Sequence, residues 1–588
     1  MTPHGYVALP SSAEHVSPTT LQTPHGGHLT VHPHPDSTST PAYTYAYGPG
    51  GVRGLLANRY TLGCAVFASI GGLSFGYDQG VIANVLVMKD FLARWPVGPW
   101  EKGLMTAVLE LGALFGALSA GVLADSYSRR HSIFLASIVF CIGSGLQCGA
   151  RSLNDLILGR AIGGFGVGAL SMLSPLYMAE ISPPELRGSL MALEQLAIVF
   201  GVVCGFWTGF LTRALPSSTS WRLPLALQLG PGLALAAGTF LLPPSPRFLV
   251  LRGRLEEAGG SLRRLRGREG VAVGEGEGDP LIRLELLEMR VNVGLVRGAG
   301  KDAGGGWGGG WKGLFGRKYV RRTFIGVMVM FFQQWSGINA LLYYGPTLVK
   351  NIGIGLRGDT ASLLSDRDTA ALLGSGGAAP LVAGGGGGDT ASLLVAGGIG
   401  VVQFVAVIPA VVGLDRWGRR PLLRGGSAIM ALSHFLIALL ILQFEDDWPS
   451  HWVAAWTAVT CIYTFTAAYG TSFGPIGWVL PSEVFPLSMR SRGVALATAS
   501  NWVNNFLIGL VTPALMEISA AATFLVFSCA CSAAYLWSTH LVPETAGVSL
   551  EEMDAVFGSE AGREDGRRKR ELEQEYGLQE LIAEVVGG

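Results

Sequence analysis

The sequence predicts an all-α membrane protein of twelve transmembrane helices, arranged as two pseudo-symmetric six-helix bundles, on three observations. Only 14% of the 588 residues are charged, against about 25% in an ordinary soluble domain, and the mean hydropathy is +0.40. Apolar stretches near the ~20 residues that a helix needs to cross a ~30 Å hydrocarbon core recur along the chain. Short charged motifs between those stretches repeat from one half to the other. The 42 Lys and Arg balance 42 Asp and Glu, which excludes a nucleic-acid binder working by bulk positive charge. The low polarity excludes a disordered chain and a soluble enzyme of usual composition. Glycine, at 84 residues, has no triplet period, so collagen is excluded too.

Residues 1–55 are rich in Pro, Ser, Thr and His and lack a basic segment followed by an apolar core. They read as a disordered cytoplasmic tail, not a signal peptide. Six of the ten His lie there (His4, His15, His25, His28, His32, His34), at spacings that match no metal site. The first bundle, residues 56–244, holds apolar stretches at 61–88, 103–124, 132–150, 156–177, 190–212 and 223–242. A linker over 245–320 is expected to carry short helices and a flexible Gly-rich piece at 303–313. The second bundle, 321–542, holds stretches at 321–349, 396–414, 423–443, 458–482, 491–513 and 521–541. A tail follows over 543–588, in which Arg567-Arg-Lys-Arg570 reads as a solvated helix face. The seven cysteines fit neither metal nor disulfide spacing and read as small packing residues.

An even number of spans puts both termini on one face. The short loops on the two faces carry equal numbers of Lys and Arg, so they do not choose between them. Arg247, Arg252 and Arg254 after span 6, with Lys318, Arg321 and Arg322 before span 7, do choose. The positive-inside rule then makes the linker and both termini cytoplasmic.

The two halves echo each other. Asp125-Ser-Tyr-Ser-Arg129-Arg130 follows span 2, and Asp415-Arg-Trp-Gly-Arg419-Arg420 follows span 8. Glu180 precedes Arg187 after span 4 by the same interval that separates Glu483 from Arg490 after span 10. Two parallel repeats of six spans are the architecture of a rocking transporter with its site at the midplane between them. The clusters are expected to form a cytoplasmic latch, the acids pairing with the arginines across the two bundles. Ion pairs that are partly desolvated bias a two-state equilibrium by ~1 kcal/mol or more.

Ionisable groups inside a span cost roughly 2.5–3.5 kcal/mol and default to functional candidates. Asp78 in span 1 and Arg160 opening span 4 both fall in the outer halves of their helices. A carboxylate that faces Arg160 or a proton by turns is a proton-coupling element. Glu110 and Glu194 are expected to be helix–helix hydrogen-bonding or capping residues, and His434 a packed polar residue. Carboxamides and aromatic rings collect elsewhere: Gln195, the string Gln333-Gln334-Trp335-Ser-Gly337-Ile-Asn339 with Tyr343-Tyr344, Gln403, Trp478, and Asn501-Trp502 with Asn504-Asn505. Amides both donate and accept, which suits a neutral polyhydroxyl ligand, and aromatic faces suit its C–H faces. An anionic ligand would want Arg or Lys there.

Other motifs carry no chemistry. Gly164-Phe-Gly166-Val-Gly168-Ala169 lies within an apolar span with no preceding strand and reads as close helix packing. Gly300-Lys301 is followed by Asp302, so no phosphate-binding loop is present. No metal or cofactor is expected, no nucleic acid, and no obligate protein partner.

At Gly159-Arg160, Pro175-Leu-Tyr-Met-Ala-Glu180, Pro244-Ser-Pro-Arg247, Gln333 to Tyr344 and Pro543-Glu544-Thr545-Ala-Gly547 the chain resembles the sugar porter family of the major facilitator superfamily, and within it the fungal proton–hexose symporters. The resemblance covers roughly 60–555. It implies the major facilitator fold, sugar contacts from Gln195, Gln333, Gln334, Asn339, Trp478 and Asn501, and proton coupling through Asp78 with Arg160. Ser128 departs from the family's Gly, and Ser245 from its frequent Glu. The loop between spans 7 and 8 (351–395), short in the family, here repeats Gly358-Asp-Thr-Ala-Ser-Leu-Leu364 as Gly388-Asp-Thr-Ala-Ser-Leu-Leu394, so the 358–394 repeat reads as a duplication or an error in the translated gene. The expected protein is a plasma-membrane transporter that imports a monosaccharide, a hexose such as glucose, by proton symport and alternating access, with the lipid bilayer, the sugar and the proton as its partners. A non-transporting sugar sensor, a pentose, polyol or quinate-like substrate, and a facilitative uniporter are the alternatives.

Overall fold

The computed structural model describes residues 19–23, 27–32, 42–268, 279–302, 307–317, 319–351, 387–445, 447–485, 489–546 and 560–587. Span 1 is built from helices α1 (Arg59–Ala68) and α2 (Ile70–Val85). Spans 2 to 5 are α3 (Pro99–Ser126), α4 (Arg129–Gly149), α5 (Leu153–Ile181) and α6 (Arg187–Thr212). Span 6 joins α7 (Thr219–Leu227) to α8 (Leu229–Gly238) at Gln228. The linker carries α9 (Pro246–Leu251), α10 (Leu255–Leu265) and α11 (Pro280–Asp302).

The second bundle repeats the plan. Span 7 is α12 (Val320–Trp335) with α13 (Ile338–Asn351), and spans 8 and 9 are α14 (Gly387–Trp417) and α15 (Arg419–Phe444). Span 10 is α16 (Trp452–Thr471) with α17 (Phe473–Val484), followed by α18 (Arg490–Ile518) and α19 (Ala520–His540). Two tail helices close the chain, α20 (Glu560–Glu575) and α21 (Leu578–Gly587). Ten helices among the described residues are long and apolar enough to cross a membrane. The other two expected spans, 1 and 10, are each present as a broken pair of helices.

The breaks have local causes. The Ser69 hydroxyl turns back onto the Val66 carbonyl at 2.8 Å, and that of Ser472 onto Ala468 at 2.6 Å, an alternative to the helical ladder that bends or ends it. Span 7 breaks at Gly337, whose φ of +91° lies in the left-handed region that residues with a Cβ avoid. A Cβ on Gly164 or Gly168 would clash with the backbone of Leu109 or Ala113, so these glycines let α5 lie directly on α3.

Within the first bundle α2 packs on α6, and α5 on both α3 and α4. Within the second, α15 packs on α19, α12 on α18 and α14 on α16. The bundles meet along two seams, α3 with α18 and α6 with α14, that is, span 2 with 11 and span 5 with 8. These are equivalent positions under the repeat. Large apolar side chains such as Phe115, Leu432 and Leu442 stand exposed on the outside, a surface suited to lipid and not to water.

The expectation of disorder over 1–55 is corrected in part. Three strands, β1 (Thr19–Gln22), β2 (His28–His32) and β3 (Ala42–Ala46), form an antiparallel sheet in the order β1-β2-β3. Register pairs Leu29 with Leu21 and Tyr45. Leu29 and Tyr47 are buried with Leu281 and Leu284 of α11 and Leu578 of α21. The apolar partners of this tail lie hundreds of residues away, in the linker and the far tail, so local composition could not reveal them. His4, His15, His25 and His34 lie outside the described residues, as do 352–386 of the repeated loop. The second copy of the repeat begins α14. Trp307–Leu314, which covers most of the 303–313 piece expected to be flexible, is helical, and 303–306 lie outside the described residues. On α20, Arg567 pairs with Glu571 at 3.7 Å and Lys569 with Glu573 at 3.4 Å, one turn apart along the helix.

Candidate functional site

At the interface of the bundles lies a narrow polar cavity of about 30 Å³, room for two or three waters at the ~10–15 Å³ that each needs, so the space between the bundles is nearly closed in this arrangement. The structure brings Gln195, Gln333, Gln334, Asn339, Trp478 and Asn501 together around it, with Gln79, Gln403 and Tyr469 beside them. Gln79 and Gln195 come from the first bundle and the rest from the second. Among the described residues, no Lys, Arg, Asp or Glu lines it.

The amides hold one another in place. Trp478 Nε1 donates to Gln195 Oε1 at 3.0 Å, across the two bundles. Gln333 Nε2 donates to the carbonyls of Phe473 and Gly474 at 2.9 and 3.2 Å, and its Oε1 accepts from Asn501 Nδ2 at 2.6 Å. Asn339 Nδ2 donates to Gln334 Oε1 at 2.5 Å and to Asn505 Oδ1 at 2.9 Å. Gln403 Oε1 and Asn501 Oδ1 are buried with no hydrogen bond among the described residues. A buried acceptor left open costs about 1–3 kcal/mol, so two of them on the wall favour a ligand that brings hydroxyl donors.

Beside the cavity, in the first bundle, Arg160 Nη2 lies 3.3 Å from Asp78 Oδ2, and both residues are 1% exposed. Gln228 Nε2 donates to Asp78 Oδ1 at 3.1 Å from the junction of α7 and α8, and itself accepts from Ser144. Arg160 Nε donates to the Met105 carbonyl at 2.6 Å. Gln79, next to Asp78, lines the cavity and donates from Nε2 to the Tyr343 hydroxyl at 2.9 Å. Tyr343 in turn donates to Glu110 Oε1 at 2.8 Å. Through Gln79, the neighbour of Asp78, the ion pair is thereby one hydrogen bond from α13, the half-helix beyond Gly337.

Sequence reasoning missed Gln228 and the linking role of Gln79. A lone amide in an apolar stretch signals little until its partner is known, and both partners are remote in sequence. Of the two unassigned acids, Glu110 makes a helix–helix hydrogen bond. Glu194 has no hydrogen bond on either oxygen among the described residues, which corrects the expectation of one. His434 Nε2 lies 2.8 Å from the Ser336 carbonyl, and the ring packs among Phe465, Phe524 and Phe527.

On the face that carries the linker, the charged clusters are ordered but not as expected. Arg129 holds Glu180 with Nη2 at 2.9 Å and Nε at 3.1 Å. Arg419 holds Glu483 with Nη2 at 2.7 Å and Nε at 3.3 Å. Among the described side chains these pairs close within one bundle, not across the two, because the arginine starting span 3 or 9 lies against the end of span 4 or 10 of its own half. The symmetry extends further. Ser245 donates to Glu180 as Thr545 donates to Glu483, the latter at 2.7 Å. Arg130 donates to the Leu242 carbonyl beyond span 6 at 3.0 Å, and Arg420 to Thr539 in span 12. Arg490 Nε donates to Phe485 O at 3.3 Å, and Arg187 Nε has no partner among the described residues. The side chains of Asp125 and Asp415 lie outside the described residues.

Above this face a second cluster ties the linker to the first bundle. Arg266 donates to Glu285 at 2.5 Å and to the carbonyls of Ile181 and Ser182 at the end of α5. The Tyr47 hydroxyl donates to Glu285 Oε2 at 2.7 Å, and the Tyr47 N–H to Glu185 at 3.0 Å. Burial first, then the Glu285 carboxylate, holds the Tyr47 hydroxyl well above its ordinary 10, and Glu285 raises Arg266 against the opposing effect of burial.

The sugar (and other) transporter family profile matches residues 64–360 and 386–557 and leaves 361–385 out. The probable glucose transporter rco-3 of Neurospora crassa is 32% identical over 87% of this chain and 81% of its own length. The glucose transporter mfs1 of Aspergillus flavus is 29% identical over 89% of this chain and 93% of its own. Among solved structures, the proton:xylose symporter XylE of E. coli, bound to 6-bromo-6-deoxy-D-glucose, superimposes with a TM-score of 0.66 at 26% identity, covering 85% of this chain and 99% of that one.

Proposed function

The chain belongs to the sugar porter family of the major facilitator superfamily, and from that membership we infer that it imports a monosaccharide, a hexose such as glucose, in symport with a proton. One observation carries the coupling: Asp78 and Arg160 form a buried ion pair one residue from an uncharged, amide-lined cavity between the bundles. The names of the relatives, two glucose transporters and a proton:xylose symporter, support the sugar class. The protein resides in the plasma membrane with the linker and both termini in the cytoplasm.

The sugar sits among Gln195, Gln333, Gln334, Asn339, Trp478 and Asn501, its hydroxyls taken by amides and a C–H face lying on the Trp478 ring. A proton on Asp78 releases Arg160, and the freed guanidinium favours the next arrangement of the bundles. At the linker face the pairs Arg129–Glu180 and Arg419–Glu483, with Arg130 and Arg420 bonded to the ends of spans 6 and 12, act within each bundle and not as a latch across the two. They fix the helix ends of each bundle so that each moves as one body. A proton crossing ~100 mV supplies about 2.3 kcal/mol and one pH unit adds ~1.4. The total supports accumulation on the order of 500-fold, where a uniporter supports none.

The test is uptake of labelled glucose in a host lacking its own transporters, with and without a protonophore. Protonophore-sensitive accumulation by the native protein, lost in Asp78→Asn while exchange persists, is the expected result. Accumulation by Asp78→Asn equal to the native protein removes Asp78 from the coupling role. Competition by a panel of hexoses, pentoses and polyols identifies the substrate, and a sensor would move none of them.

A further inference from the structure

Glu110 of α3 is 1% exposed and has no part in the scheme above. Its Oε1 accepts the Tyr343 hydroxyl, which ties the first bundle to α13 of the second. Its Oε2 is buried and makes no hydrogen bond among the described residues. Arg160 Nη1 is buried and unbonded in the same sense, while Arg160 Nε is anchored to Met105 on Glu110's own helix. Among the described residues, the ionisable groups that act electrostatically on Glu110 are Arg160 of α5, Tyr343 of α13 and Asp78 of α2. From α18 the neutral Asn505 reaches Tyr343 at 3.2 Å. Arg160 is thus paired with Asp78 and tethered to the helix that carries a second carboxylate, and that carboxylate holds the half-helix beyond the Gly337 break.

We propose that Glu110 is a positioning residue for proton coupling, the carboxylate to which Arg160 turns when Asp78 takes up a proton. The proposal rests on the reading of Asp78 as the proton acceptor. A protonated Asp78 no longer neutralises Arg160, and a buried guanidinium cannot shed its own proton, so it needs another anion within reach. Glu110 offers its open Oε2. Drawing that oxygen toward Arg160 moves Oε1, from which Tyr343 hangs, and Tyr343 also holds Gln79 beside Asp78. Protonation in one bundle is thus passed to α13 in the other. The proton ends on Asp78, and otherwise only hydrogen bonds change.

The test uses the full chain in proteoliposomes, comparing the native protein with Glu110→Gln, Glu110→Asp and Tyr343→Phe. Two quantities are read with labelled glucose: exchange at equal pH, which needs no net proton movement, and accumulation under an acid-outside gradient. Glu110→Gln and Tyr343→Phe are expected to keep exchange within about twofold and to accumulate about tenfold less, the ~1.4 kcal/mol of one charge-assisted hydrogen bond. Glu110→Asp, which keeps the charge, recovers part of the coupling. Full accumulation by both variants overturns the proposal while leaving the symport reading intact. Loss of exchange together with accumulation makes Glu110 merely structural and also overturns it. If the native protein exchanges without accumulating, or does neither, the symport reading falls and this proposal with it. Tyr343→Phe leaves both carboxylates and Arg160 in place, so it decides the matter if Glu110→Gln does not reach the membrane.

Discussion

Trp478 donates its indole N–H to Gln195 Oε1 at 3.0 Å, a hydrogen bond between the two bundles in the wall of the cavity. Each partner belongs to a different half of the repeat, so the bond can persist only in arrangements that keep spans 5 and 10 adjacent. Both groups are buried.

Gln195→Ala leaves the indole N–H of Trp478 unpaired, at a cost of about 1–3 kcal/mol. The KM for sugar uptake is expected to rise by about tenfold. Initial-rate uptake over a range of sugar concentrations measures it, and an unchanged KM removes Gln195 from the site.

Removing Asp78 and Glu110 together should cost more than the sum of the two single changes. If Glu110 takes over Arg160 as proposed, either carboxylate alone serves it, whereas Asp78→Asn with Glu110→Gln leaves a buried cation with none, a penalty of about 3–5 kcal/mol. Thermal unfolding of the detergent-solubilised single and double variants gives the coupling. Additive shifts in melting temperature would mean that the two acids do not share Arg160.

Arg129→Ala is expected to destabilise more than Arg419→Ala, although the two pairs are related by the repeat. The Glu180 side chain is 4% exposed and that of Glu483 is 20%, so a stranded Glu180 is the less hydrated of the two. The cost of the first approaches the ~3–5 kcal/mol of a broken buried pair, and the second is smaller because solvent screens it. Heat inactivation of sugar uptake ranks them, and the reverse order contradicts the burial argument.

The cluster of Tyr47, Arg266 and Glu285 sets a pH limit on the linker face. The Tyr47 hydroxyl is held above its ordinary 10 in the fold, so the protonated form is favoured there over the unfolded chain. Its contribution is complete below about pH 10 and is lost as the pH rises beyond it. Limited proteolysis of the first 55 residues should therefore be insensitive to Tyr47 up to about pH 9 and accelerate above pH 10. Tyr47→Phe should abolish that step.

The bundles, the repeat and the amide cluster were legible in the sequence because each is a local or periodic property. Twenty apolar residues specify a spanning helix wherever its neighbours lie, and the interval from Glu180 to Arg187 recurs from Glu483 to Arg490 without any knowledge of contacts. Which groups meet across helices was not legible. That the linker-face arginines bind glutamates of their own half, that Gln228 caps Asp78, and that the strands of residues 19–46 find a core in Leu281 and Leu578 were decided by packing. Hydrogen bonds and ion pairs act over about 3 Å, and which atoms come that close depends on helix breaks at Ser69, Gly337 and Ser472 and on glycine seams such as Gly164 and Gly168. Composition and periodicity fix what each segment buries; only the assembled fold fixes against what.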